Sequence, residues 1–411
     1  RPLWYKHALY ANNARHFAPA AASQRNASPG GGRTTVRLAV MAAGDELSAT
    51  ADCVWLGRDD PVVGMVCQSD TGRPRLGLAN GQQQDQPVAG GAVVNISVAM
   101  CTYNGSRFLG EQLKSIEEQT MLPCELIVCD DGSTDSTPEI VRAFAARAPF
   151  PVHFERNAIT LGSTRNFEKA VRLCGGEAIA LCDQDDVWNE EKLARMAGVL
   201  ATEPQVGGIF SDAWLLDENS LPMAESLWEK KQFTSRKQAT INDRHAAPLM
   251  LLEKNPITGA TFMFRSEFVQ DVTPIPSEWV HDAWIALLIA TQAQLRALPA
   301  RLMSYRLHSG QQIGIRPAAW HPPLSEERHK AIASWDTLIQ RMESFKEKLA
   351  TFSVDPAVAR LAQKRLEFLR ARTALRQQDP FRRLLAATFQ LPEYFRFSKG
   401  LLSYCRDVTR S

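Results

Sequence analysis

From about Val93 onward the chain alternates between two rhythms of apolar and polar positions. Short apolar, β-leaning runs occur at residues 96–100, 125–129, 152–155, 178–182 and 206–211. Between them the apolar positions recur at helical spacing. Phe108, Leu109, Leu113 and Ile116 mark a helix over 106–119. Further helices are predicted over 163–173, after Leu161-Gly162, and over 190–200. Another opens at Ser136, where Glu139 three residues on makes a capping box around Pro138. A β-α-β-α order of this kind predicts an α/β fold, with a mostly parallel sheet and helices on both faces.

The two flanks read differently. Residues 1–92 repeat Ala, Gly, Arg, Asn and Gln, with Pro29-Gly30-Gly31-Gly32 and Gly81-Gln82-Gln83-Gln84. Only 35–41 and 53–67 have strand character there, so the segment is expected to be largely disordered. The chain starts with Arg1, so this segment reads equally as a genuine tail or as an artefactual upstream extension. Beyond Pro317 strand signals fade, and 324–378 reads as helix. The domain division is therefore 1–92, 93–318 and 319–411. The last stretch, 380–411, interleaves Arg382, Arg383, Arg396, Lys399, Arg406 and Arg410 with Phe381, Phe389, Phe395, Leu401 and Leu402. Such a tail suits an anionic membrane surface, or else packs on the main domain with its charges solvated.

Composition narrows the class without naming it. The 411 residues are 45% hydrophobic and 22% charged, as in a soluble globular protein. A net charge of +2 gives no reason to expect nucleic acid. The 8 cysteines form no CxxC pair, and Cys101, Cys129 and Cys182 sit in apolar runs, which predicts a reducing compartment. No apolar run reaches the roughly 18–20 residues of a membrane-spanning helix. Residues 1–20 are interrupted by His7, Asn12, Arg15 and His16, so no signal peptide is expected.

Candidate chemistry gathers at three strand tips: Thr102-Tyr103-Asn104, Asp130-Asp131-Gly132-Ser133 and Asp183-Gln184-Asp185-Asp186. Ligands of open α/β sheets sit at the carboxyl ends of strands. Carboxylates crowded there repel each other unless a divalent cation and a hydrogen-bonding ligand join them. Thr102 and Asn104 can hydrogen-bond a nucleotide. Asp131 is a natural acceptor for a pyrimidine imide N–H, and Asp130 sets the turn or contacts ribose. Asp185 is the principal candidate metal ligand. Asp183 contacts ribose or metal-bound water, and Asp186 stands behind them. Trp188 either shapes a sugar pocket or belongs to the core.

With Gly259, His281-Asp282 and Tyr305-Arg306-Leu307-His308 added in order, residues 94–315 resemble family 2 glycosyltransferases of bacterial polysaccharide synthesis. The Asp-Gln-Asp-Asp-x-Trp form is most similar to rhamnosyltransferase-type members. The resemblance implies a GT-A fold and an inverting transferase using Mg or Mn. Its donor would be a UDP- or dTDP-linked sugar, rhamnose first, and its acceptor a lipid-linked or surface polysaccharide such as O-antigen. It implies Asp282 as general base, Arg165 on the nucleotide, Gly259 near the donor sugar, and His308 completing the metal shell. It places the protein in the cytoplasm, peripheral on the inner face of the plasma membrane.

Three alternatives use the same residues differently. Asp282 before a helical run is also a natural N-cap. Asp183-x-Asp185-x-Val187 after a strand resembles the opening of haloacid-dehalogenase-like phosphatases, although three βα units precede it here. A fold of this kind could also bind nucleotide-sugar or partner proteins without turnover.

Overall fold

The computed structural model describes residues 35–39, 50–54, 66–69, 94–308, 335–375 and 377–409. The chain divides into two compact units, residues 1–87 and 88–411. In the first, β1 (Thr35–Ala39), β2 (Thr50–Val54) and β3 (Val66–Ser69) form an antiparallel sheet in that order. The rest of the segment expected to be disordered, 1–92, lies outside the described residues.

The second unit opens with β4 (Ile96–Thr102), α1 (Leu109–Glu117), β5 (Glu125–Asp130), α2 (Thr137–Ala145), β6 (Val152–Arg156), α3 (Ser163–Leu173) and β7 (Ala178–Cys182). It continues through β8 (Val187–Trp188), α4 (Lys192–Thr202), β9 (Val206–Leu216), β10 (Pro222–Ser226), α5 (Leu227–Lys230), α6 (Ser235–Asn242) and α7 (Ala247–Glu253). Then come β11 (Phe262–Arg265), α8 (Val269–Val272), α9 (His281–Gln292) and β12 (Gln294–Arg306). The strand order is β6-β5-β4-β7-β11-β9-β12-β8, with β10 beside β9.

The sheet is more mixed than the alternation suggests. β6, β5, β4 and β7 pair in parallel. β11 then runs antiparallel to both β7 and β9, while β9 and β12 pair in parallel. Short segments such as α5–α7 and β11 carry no βαβ rhythm, so their strand directions were not readable locally. β4 and β7 are wholly buried over their apolar runs, with Val98, Ala99, Met100 and 178–182 at 0% exposure. Continuous apolar strands are what a sheet covered on both faces requires. From β4 the chain moves to β5 and β6 on one side, then returns to β7 on the other. That reversal opens a crevice at the carboxyl ends of β4 and β7.

The capping box expected at Ser136 does not form. Ser136 is the N-cap of α2 but makes no side-chain cap bond. Asp135 takes over, accepting the Thr137 amide on Oδ1 (3.0 Å) and the Ser106 amide on Oδ2 (3.0 Å). The stretch predicted as one helix over 324–378 contains α10 (Trp335–Leu349) and α11 (Pro356–Leu375), separated at Pro356. Its first part, 324–334, lies outside the described residues.

α10 is tied to the sheet domain by Trp279, whose indole N–H donates to Ser344 Oγ at 3.1 Å. The tail forms α12 (Pro380–Phe389), α13 (Leu391–Phe397) and α14 (Leu401–Thr409). These close on α11 around Phe368, Leu375, Ala387 and Tyr394. A buried Arg372–Asp407 ion pair (2.5 Å), with Tyr394 OH donating to Asp407 at 2.8 Å, locks the last helix down. Phe381, Leu384, Leu385, Phe389, Phe395, Leu401 and Leu402 nevertheless stay exposed. No described helix is long and apolar enough to cross a membrane.

Candidate active site

The crevice is a cleft of about 840 Å³. Of the residues singled out from sequence, Thr102, Asn104, Asp131, Asp183, Asp185, Gly259, Asp282 and His308 line it together. They come from β4, the β5–α2 turn, the β7–β8 turn, the loop before β11, the start of α9 and the end of β12. Asp130 and Arg165 are not among its lining residues.

The first wall is built by the tip of β4. Thr102 Oγ1 donates to Asp130 Oδ1 at 2.9 Å, and Ser133 donates to the same carboxylate from Oγ (2.5 Å) and N (2.9 Å). Asp130, fully buried, therefore sets the turn, one of its two expected roles, and is turned away from the cleft. Asn104 adopts φ 47° and bridges to the same turn, accepting the Thr134 amide at 2.8 Å. Asn tolerates this left-handed conformation better than most residues. Asp131 accepts the Leu161 and Gly162 amides (2.7 and 2.8 Å) and Asn157 Nδ2 (2.9 Å), so its carboxylate holds the 157–162 loop at the cleft margin. Arg165 projects outward from α3 and pairs with Glu168 at 2.9 Å.

The acidic turn after β7 forms the floor. Gln184, to which sequence reasoning gave no role, pairs with the Tyr103 backbone through both amide atoms (2.9 and 3.1 Å). A Cβ on Gly105 would collide with that carboxamide, so glycine permits the approach. Asp185 Oδ2 meets His308 Nε2 at 2.7 Å. Burial, then the nearby Asp185 and Asp282 carboxylates, push Asp183 up to about 7, against a pull from Lys192. Burial also drives Asp186 well above the carboxylate range. Asp186 Oδ1 accepts the Arg306 amide at 3.0 Å, behind the cleft.

Two buried cations lie behind this turn; from sequence Arg306 was quoted only within the stretch Tyr305–His308, and Lys192 was given no role. The Arg306 side chain, at 0% exposure, bonds the Asp185 carbonyl (2.8 Å) and Glu111 (2.7 Å). Its guanidinium lies 4.4 Å from the Phe108 ring centre. Lys192 Nζ donates to the Ala260 carbonyl at 2.6 Å and lies 3.7 Å from the Trp188 ring centre. Burial pushes Lys192 down to about 7, although Cys182, Asp186 and Asp183 oppose it. Trp188 thus belongs to the core. For Lys192 the chain offers only a lysine near an apolar strand, which an exposed residue gives equally well.

The opposite wall carries Asp282. Val280 is the N-cap residue of α9; Asp282 lies in its first turn, where its Oδ1 accepts the Ala283 amide at 2.6 Å. Asp282 Oδ2 accepts the Gly259 amide at 2.8 Å across the cleft wall. A Cβ on Gly259 would stand 3.0 Å from His281 Nε2 and 3.4 Å from Asp282 Cβ, so a side chain there requires a neighbour to yield by a few tenths of an ångström. His281 is buried and stacked on Phe167 at 3.8 Å, and burial lowers its pKa.

Among the described residues no three His, Cys, Asp or Glu side chains form a ready metal cage. The donor set still fits a hard divalent cation held in part by substrate. Asp185 and His308 converge at the cleft floor, and Mg²⁺ in particular is commonly held by one or two carboxylates plus substrate phosphates and water.

Residues 97–255 match the family model for glycosyl transferase family 2. The match spans this stretch of the chain, and the relatives that align with it are named as glycosyltransferases. It is 27% identical over 220 residues to an uncharacterized glycosyltransferase of Nostoc sp., covering 52% of this chain and 65% of the relative. It is 34% identical over 98 residues to a dTDP-rhamnosyl transferase of Shigella flexneri, covering 23% of this chain and 34% of that protein. Among solved structures, S. aureus TarS 1-349 in complex with UDP-GlcNAc aligns at 18% identity and a TM-score of 0.48, covering 67% of this chain and 72% of that one.

Proposed function

We propose that this chain moves a sugar, rhamnose or another hexose, from a dTDP- or UDP-linked donor to a lipid-linked or polysaccharide acceptor, with inversion. The observation that carries this reading is the convergence of Asp282, Asp183, Asp185 and His308 on one cleft at the switch point of the sheet. Asp282 is the general base. It removes the proton from the acceptor hydroxyl as that oxygen attacks the anomeric carbon. The bond to the diphosphate oxygen breaks on the opposite face, and the nucleoside diphosphate leaves with the electron pair. The Gly259 amide keeps the carboxylate aimed at that position. Thr102, Asn104 and Asp131 form the nucleotide side, and Gly259 lies beside the donor sugar. Arg165, exposed at the start of α3, reaches the nucleotide only by leaving Glu168, which makes it the weakest member of the set.

A divalent cation, Mg or Mn, would be held by Asp185 and His308, where it would offset the charge of the departing diphosphate. The similarity to a dTDP-rhamnosyl transferase makes dTDP-rhamnose the first donor to test. The exposed apolar and basic face of α12–α14 supports contact with the anionic inner surface of the plasma membrane, where a lipid-linked acceptor would lie.

Calorimetry with UDP, dTDP and GDP, each with and without Mn²⁺, tests the site. Metal-dependent binding of one pyrimidine diphosphate is expected, and Asp185→Ala should abolish the metal dependence. Binding of none by folded protein would instead favour a degenerate fold that binds partners.

A further inference from the structure

The cleft is lined by a partly buried cation, Lys231, whose surroundings differ from those of Arg306 and Lys192. Lys231 follows α5 and lines the cleft. Its ammonium donates to the Pro256 carbonyl (2.9 Å), the Ile257 carbonyl (3.2 Å) and Thr258 Oγ1 (2.5 Å). A lysine ammonium has three donors, and all three are spent on one loop. The next residue in that loop is Gly259, whose amide holds Asp282 Oδ2. Thr261 closes the loop from the other end by donating to the Thr258 carbonyl at 2.7 Å. Without Lys231 the two carbonyls and the hydroxyl would lose their shared partner.

We infer that Lys231 is a positioning residue for the general base, acting through the 256–259 loop. The inference rests on the reading of Asp282 as that base. The charged and titratable groups around Lys231 are Asp282 and His281 on α9, and Lys254 after α7. Burial pushes Lys231 down to about 8, with Asp282 opposing and Lys254 adding to the fall. The clamp therefore weakens as the ammonium loses its proton in mildly alkaline solution.

The test follows release of nucleoside diphosphate from the full chain, with water as acceptor. The donors are dTDP-rhamnose, UDP-glucose and UDP-N-acetylglucosamine, each with Mn²⁺. The proteins are wild type, Lys231→Met, Lys231→Arg and Asp282→Asn. Lys231→Met should lower kcat about 10- to 100-fold, with donor KM within about twofold and circular dichroism unchanged. The wild-type rate should fall as pH rises through about 8. Lys231→Arg, which stays charged, should keep most of the rate and carry that fall to higher pH. If Lys231→Met matches wild type while Asp282→Asn is inactive, the clamp is wrong and the general base stands. If Asp282→Asn matches wild type, or wild type turns over no donor, the proposed function itself falls and the clamp with it. If Lys231→Met loses rate only in step with a collapse in melting temperature, and Lys231→Arg leaves the pH profile unmoved, Lys231 is merely structural.

Discussion

Asp183 shows at the scale of one residue how the site trades stability for chemistry. Its ordinary pKa of 3.8 rises to about 7 through burial and the neighbouring carboxylates. A carboxyl raised on folding contributes stability that is full below about pH 4 and is lost as pH rises through about 7. The wild-type protein, free of metal, should therefore lose ground to Asp183→Asn between pH 5 and pH 8. The full shift is discounted because the side chain keeps contact with the solvent in the cleft. That leaves a gain of about 2 kcal/mol for the variant at pH 8. Thermal melts in a chelating buffer at pH 5 and pH 8 check this. A constant difference across that range would show that Asp183 is not strained. For Asp130 the sequence left two roles open, the turn or ribose, and for Arg165 it gave no partner. Both belong to motifs that point at a nucleotide, yet one is consumed by the turn and the other by Glu168. Hydrogen-bond partners 3 or 28 residues away in sequence decide such cases, and a motif does not record them.

Among elements, the loop between α7 and β11 is the least predictable and the most consequential. Sequence reasoning picked out Gly259 but could not see that His281 and Asp282 pack against it. A methyl group there must push back the loop, the histidine or the base. Gly259→Ala should thus lower the rate of donor cleavage about tenfold or more, with nucleoside diphosphate affinity within about threefold. Steady-state kinetics beside calorimetric titration separate the two. A parallel loss of rate and affinity would mean the loop binds the nucleotide rather than serving the base. The regular elements were far easier to anticipate. β4, β5 and β7 appear within two residues of their apolar runs, and α3 spans the predicted 163–173. Their periodicity is local and their burial on both faces leaves no room for polar interruption.

On the scale of the whole molecule, the tail combines a tethered inner face with an apolar outer one. Phe381 is 69% and Phe389 86% exposed. Leu384 and Leu385 share their helix face by spacing. Arg382, Arg396, Lys399 and Arg406 are exposed around them, and Glu393, which opposes their charge, is only partly exposed. Such a surface should bind vesicles containing about a third phosphatidylglycerol and release them in high salt. Replacing Phe381 and Phe389 together by Ser should lower partitioning about tenfold or more without lowering the melting temperature, since neither side chain is in the core. Flotation of wild type and variant with anionic and neutral vesicles decides it. Equal behaviour of the two proteins would remove the membrane reading.

The sequence alone determined the strand-helix alternation, the buried parallel strands and the acidic tips that resemble those of family 2 glycosyltransferases, because each is written in neighbouring residues. The burial of Asp130 in its own turn, the antiparallel entry of β11 and the bracing of the acidic turn by Arg306 were decided by tertiary structure. So was the chain of contacts from Lys231 through Gly259 to Asp282. Those features depend on which distant groups share a low-dielectric space, where an unpaired charge or hydrogen bond is costly and each partner must be supplied from elsewhere in the fold.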